Sequence, residues 1–100
     1  MFNVKILPIA LKDLKSAKKW YNQQRENLGE EFKIEVNKEI DYISEFPENY
    51  QIQFKEIRQA LVTRFPYAIF YFIDGNQNQI VIIGVLHTKR NPEILRKRAE

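Results

Sequence analysis

The chain has 100 residues, of which 44% are hydrophobic, 13% aromatic and 29% charged, with a formal net charge of +3 at pH 7. That is the length of one domain, 1–100, with enough apolar and aromatic side chains to fill its own core. The composition excludes a bilayer-spanning run of ~20 apolar residues. With no cysteine it also excludes a disulfide framework or thiolate metal site, and with one histidine a histidine-based zinc site.

Phe2 to Leu7 alternates apolar and polar residues and predicts a first strand. Pro8 ends it and fits the first turn of a helix. Ala10, Leu14, Ala17 and Tyr21 follow at helical spacing, with Leu11 and Trp20 on the flanks and Lys12, Lys15, Lys18, Lys19 and Arg25 largely off that face. Gly29 is the expected stop of this helix. Phe32, Val36, Ile40 and Ile43 make the stripe of a second helix, with Phe46 near its end. Glu30 and Glu31 lie in its first turn, where the helix dipole favours negative charge, and Pro47 closes it. Two helices so joined form a hairpin.

Pro47-Glu48-Asn49-Tyr50 reads as a loop, and from about Gln53 the period changes to two. An unbroken strand there would point Ile57, Leu61, Thr63 and Phe65 one way and Arg58, Ala60, Val62 and Arg64 the other. Pro66 marks a turn or strand edge. Tyr67 to Ile73 is almost wholly apolar, as in a central strand covered on both faces. Asp74-Gly75-Asn76-Gln77-Asn78 is a hairpin turn, Gln79 to Leu86 the returning strand, and Pro92 to Glu100 a short charged helix with a frayed end. The expected fold is α+β: an N-terminal strand and a two-helix hairpin packed on an antiparallel-dominated sheet that ends in a C-terminal three-stranded meander.

The net charge hides an uneven layout. Residues 1–25 carry six Lys/Arg against one Asp, residues 26–48 two Lys against eight Asp/Glu, and residues 49–100 eight Lys/Arg against four Asp/Glu. A basic–acidic–basic chain suits a polyanion or an acidic protein partner, and equally three solvated surfaces. There is no glycine-rich phosphate loop, since the glycines are Gly29, Gly75 and Gly84. Ser16 and Ser44 fall in the two helices, which excludes a Ser–His–Asp triad. A cluster of cations with one imidazole remains. Lys55, Arg58, Arg64, Lys89 and Arg90 are candidate phosphate- or target-binding residues, since guanidinium groups pair bidentately with phosphate. Arg58, Arg64 and His87 could together serve RNA transesterification, by charge stabilisation and proton transfer. Arg58 lies about 20 Å along the strand from Arg64. Each has a plainer reading. Arg58 pairs with a glutamate of the second helix or with the C-terminal segment, Arg64 solvates a turn, and His87 forms an ordinary hydrogen bond. Tyr67 and Tyr71, which could stack on a base, are then core or sheet-surface aromatics, and Arg96-Lys97-Arg98 is a solvated end.

The order of the pieces resembles the RelE/ParE toxins of bacterial type II toxin–antitoxin systems. The resemblance rests on Ala10-Leu11-Lys12-Asp13-Leu14, Trp20-Tyr21, Leu28-Gly29-Glu30-Glu31-Phe32, Phe46-Pro47, Arg58, Arg64-Phe65-Pro66-Tyr67 and His87-Thr88-Lys89-Arg90-Asn91-Pro92, over nearly the whole chain. It implies a cytoplasmic toxin with no cofactor and no membrane partner. It also implies a cognate antitoxin that wraps and neutralises the toxin and contacts operator DNA on behalf of the complex. RelE-like members resemble ribonucleases that cut mRNA in the ribosome, while ParE-like members inhibit DNA gyrase. His87 stands where some ribonuclease members place a histidine, but they follow it with a tyrosine where this chain has Thr88. No tyrosine follows Tyr71. Phe65-Pro66-Tyr67 and the His87–Pro92 segment look closer to the ParE side. The expectation is therefore a gyrase inhibitor, with a ribosome-dependent endoribonuclease and a non-toxic antitoxin-binding module as alternatives.

Overall fold

The computed structural model describes residues 1–99. Strand β1 (Asn3–Ile6) leads into helices α1 (Pro8–Gln24) and α2 (Leu28–Glu45). A 3-10 turn at Pro47–Asn49 then precedes β2 (Gln51–Phe54), β3 (Ile57–Leu61), β4 (Tyr67–Asp74), β5 (Gln79–His87) and helix α3 (Pro92–Ala99). The strands form one sheet in the order β1-β5-β4-β3-β2. Only β1 is parallel to its neighbour, with Asn3 opposite Gln79 and Ile6 opposite Ile82. The fold is α+β, as expected, with α1 and α2 on one sheet face and α3 on the other.

Alternation along the strands assigns each side chain to a face. Ala60, Ile69, Tyr71, Ile80, Ile82 and Val85 join Ala10, Ala17, Tyr21, Phe32, Val36, Ile40 and Ile43 in the larger core under the hairpin. Ile57, Ala68, Phe70, Val81, Ile83 and Leu86 form a second core with Leu95 of α3. The central strands are thus covered on both faces. Phe70 pairs with Gly84 and Tyr71 with Ile82, which makes Ile83 one extra residue in β5, a bulge. The bulge shifts the parity, so that Val85 rather than Gly84 follows Ile82 on the helix face.

Two expectations need correction. The unbroken strand from Gln53 to Phe65 is two strands, with Lys55 in a turn at φ 52°. The sheet therefore ends in a four-stranded antiparallel meander. No glycine, proline or asparagine marks that turn, so its period-two pattern reads straight through. Gly29 does not stop α1. The chain reverses at Asn27, in the left-handed conformation at φ 66°, and Gly29 is the second residue of α2. Its role is close approach. A Cβ there would run into the Lys18 carbonyl oxygen and the Asn22 side chain, and the Gly29 N–H donates to Asn22 Oδ1 at 2.7 Å. The hairpin closes this tightly only because residue 29 has no side chain.

Candidate functional site

β1 covers the edge of β5 only as far as Ile82, where the Leu7 N–H donates to the Ile82 carbonyl at 3.0 Å. Beyond that point the edge would be bare, and α1 and α3 supply its partners. The Val85 N–H donates to Asp13 Oδ2 at 3.0 Å, and Arg98 Nη1 donates to the Ile83 carbonyl at 3.2 Å. Arg98 also grips Asp13 with both nitrogens, at 2.5 and 3.0 Å. The side chains are only 15% and 13% exposed. Gly84 leaves the room, since a Cβ there would lie 2.7 Å from Arg98 Nη1. Arg98 is thus a clasp between the last helix and the first, not a solvated tail charge.

Beside this clasp a groove of about 690 Å³ runs between α1 and the end of β5. Ile9, Asp13, Ser16 and Trp20 form its α1 wall at helical spacing, and Pro66, Tyr67, His87 and Arg90 form the other. Ala17, Val85 and Leu86 lie between. Trp20 is 54% exposed and meets Tyr21 edge-on, and Tyr67 meets His87 edge-on at 5.3 Å. Burial raises the Tyr67 hydroxyl above its ordinary pKa, against the opposing pull of the Arg90 charge. On the other sheet face a smaller concavity of about 200 Å³ lies under α3, lined by Gln53, Phe54, Gln59, Phe70 and Asn91. The Arg96 guanidinium stacks over Phe54 at 4.8 Å beside it. His87 and Arg90 line both hollows and form the ridge between them.

The sequence candidates divide. His87 and Arg90 come together, with Lys89 beside them in the chain. The His87 Nδ1 accepts the Lys89 N–H at 3.1 Å, which places the proton of the neutral ring on Nε2. Arg58 and Arg64 are not part of this cluster. Arg58 Nη1 donates to the Tyr50 carbonyl at 2.6 Å and the Glu48 carbonyl at 3.3 Å, tying β3 to the chain that leaves α2. Its partners are main-chain carbonyls of that segment, not a glutamate side chain of α2. β3 ends at Leu61, so Arg64 lies outside any strand, at φ 74°. It reaches back to Glu31 at 2.8 Å, where Arg25 also binds at 3.1 Å. The Arg64 hydrogen bond, with Arg25 adding to it, holds the Glu31 carboxyl below its usual pKa. Lys55 sits at the far hairpin over Phe54, 5.4 Å from the ring centre. Among the described residues, Lys12, Lys15, Lys19, Lys89 and Arg90 form no ion pair. No cluster of three metal-ligating side chains occurs among them.

Lys12 and Trp20 are groove residues that sequence reasoning left among the solvated and packing positions. The signal lay in the flank of α1, where Ile9 and Trp20 are apolar residues outside the core stripe. Chemically the groove can bind: it offers aromatic walls, an apolar floor and unpaired cations. The carboxylate nearest the floor, Asp13, is committed to Arg98 and is not free to serve as a base.

A two-helix hairpin on one face of a five-stranded sheet, with the last helix clasped on the other, is the fold of the RelE/ParE superfamily. The model of the family described as "ParE toxin of type II toxin-antitoxin system, parDE" matches residues 4–92, and the chain belongs to that family. The fold is similar to a chain of the chromosomal ParDE toxin–antitoxin system of P. aeruginosa. That match has a TM-score of 0.76 at 13% identity and covers 87% of this chain and 96% of that one. It is also similar to a chain of the intact E. coli RelBE toxin–antitoxin complex, with a TM-score of 0.64 at 14% identity, covering 90% of this chain and 100% of that one. The isolated E. coli RelE toxin matches at TM-score 0.64 and 14% identity over 100% of both chains. Among curated proteins no sequence relative is found. No described helix is long and apolar enough to cross a membrane.

Proposed function

We propose that this chain is the growth-inhibiting toxin of a cytoplasmic type II toxin–antitoxin pair, that it acts on DNA gyrase as a protein inhibitor, and that a cognate antitoxin neutralises it. The ParE family match supports the toxin, and the ParDE and RelBE titles of its structural neighbours support the antitoxin partner. Operator DNA is reached through the antitoxin. The observation that carries the gyrase reading is the engagement of Arg58 and Arg64 in structural contacts. His87 is left with Arg90, Lys89 and Tyr67, whose hydroxyl burial keeps protonated to higher pH, while the Asp13 carboxylate is bound by Arg98, an arrangement suited to binding rather than to cutting. The test is a supercoiling assay with purified protein: loss of gyrase activity at modest excess is expected, and full activity at high excess overturns the reading.

A ribosome-dependent endoribonuclease is the second reading. It is favoured by one observation, the concavity where His87 and Arg90 meet Gln53, Gln59 and Phe54. New RNA 5′ ends within translated codons after induction would establish it. The third reading, a non-toxic antitoxin-binding module, predicts normal growth when the chain is expressed alone.

A further inference from the structure

We infer that the outward face of α1 is a sequence-independent contact surface for duplex DNA. This rests on the reading of the chain as a gyrase inhibitor, because duplex DNA is what gyrase holds and the toxin then meets both together. Helix α1 carries four lysines and one carboxylate, Asp13, which Arg98 neutralises. Lys18 is paired with Glu30 at 2.9 Å. Lys12, Lys15 and Lys19 are exposed and form no ion pair among the described residues. At about 3.6 residues per turn, positions 12, 15 and 19 fall within about 60° of one another around the helix and about 10 Å along it. That is the reach of two or three phosphates of one strand, whose charges recur about every 3.4 Å of duplex axis. Lysine suits such contacts: a compact charge on a flexible stem meets phosphate oxygens without reading base edges.

The surroundings of the lysine row select the partner. The shallow cleft beside it is lined by Lys15, Lys18, Lys19, Asn22 and Gln23, all polar. An acidic protein segment finds charge there but no apolar or aromatic anchor, which protein interfaces need at their centre. A single strand finds no ring to stack on, since Trp20 lines the groove on the other side of α1. A duplex backbone requires neither. The field is also one-sided. Arg90, likewise without an ion pair, lines the groove with Lys12 and extends the positive face, whereas Asp41 and Glu45 lie exposed on α2. The duplex is therefore drawn to α1 and kept off α2.

The probe is a fluorescently labelled duplex of about 30 base pairs, titrated with the full-length chain without gyrase and followed by anisotropy. Affinity is expected to fall with salt at a logarithmic slope of about −3, as three neutralised phosphates require. Two unrelated duplex sequences of equal length should bind alike. The triple variant Lys12→Gln/Lys15→Gln/Lys19→Gln is expected to weaken binding roughly tenfold or more and to flatten the salt slope. The triple variant Lys5→Gln/Lys55→Gln/Lys97→Gln removes the same charge from exposed positions on β1, the β2–β3 turn and α3, and should leave affinity unchanged. Circular dichroism confirms that both variants fold. In a supercoiling assay the α1 variant should also need roughly tenfold more protein to inhibit gyrase. Gyrase inhibition by a chain that binds no duplex, or whose binding ignores the α1 row, overturns the inference while the gyrase reading stands. Duplex binding that depends on the row while gyrase stays fully active supports the DNA surface and overturns the gyrase reading. Tighter binding to a single-stranded RNA of the same length than to the duplex overturns the inference.

Discussion

Arg98 in the last helix and Asp13 in the first, 85 positions apart, form a two-pronged ion pair that also satisfies two backbone groups of β5. The pair is largely out of water, so removing one partner strands the other. Arg98→Ala is expected to cost about 3 kcal/mol. In Asp13→Ala/Arg98→Ala the loss should be smaller than the sum of the single losses, because no charge is left alone. Urea denaturation of the three variants measures this, and additive losses would show that the two residues act independently.

Arg58 is predicted to be a structural residue. Its charge-assisted bonds to the Tyr50 and Glu48 carbonyls hold the segment between α2 and β3. Arg58→Ala should therefore lower stability by about 2 kcal/mol. A variant as stable as the parent but without toxicity would return Arg58 to the functional site.

The hydroxyl of Tyr71 is fully buried and donates to the Pro47 carbonyl at 2.5 Å. Burial raises its pKa from 10.0 to about 12. A raised pKa means the folded state holds the proton longer. The stability from this group is complete below the unfolded value, falls as pH rises from 10, and is lost beyond the folded value. Tyr71→Phe removes the hydrogen bond, at about 1 kcal/mol near neutral pH. It should also flatten the alkaline decline between pH 10 and 12. Stability measured by denaturant across that range checks the slope, and an unchanged slope in Tyr71→Phe would assign the alkaline loss to other groups.

Phe70 and Ile82 sit in the two cores, on opposite faces of adjoining strands. Truncation of either to alanine should cost about 3 kcal/mol or more. Losses below about 1 kcal/mol for both, seen by thermal or chemical unfolding, would mean that the sheet register is wrong.

Much of this architecture is legible along the chain because periodicity reports burial. The stripes of α1 and α2, the hairpin at Asp74–Asn78 and the doubly covered β4 all follow from it. The Lys55 turn is not legible, since a lysine at φ 52° has no compositional mark. Arg64 shows the limit for the site. Its strand parity with Arg58 depends on a strand reaching residue 64, and β3 stops at Leu61. What a cation touches is decided by tertiary distance, and neither Glu31 for Arg64 nor Asp13 for Arg98 is adjacent in sequence. The groove eluded the sequence for the same reason: Trp20 and Tyr67 belong to elements that meet only in the folded chain.

The pairing of β1 with β5 sets a timetable for synthesis. Residues 3–6 have no sheet to join until residues 79–82 have left the ribosome, several seconds later at roughly 5–20 residues per second. The clasp on α1 waits longer still, for Arg98. A transcript cut short, or a reading frame lost anywhere before that point, yields a fragment whose first strand has nothing to pair with or whose last helix has no anchor. Synthesis through Arg98 therefore precedes closure of the fold, and β1 spends that interval without the strand it pairs with.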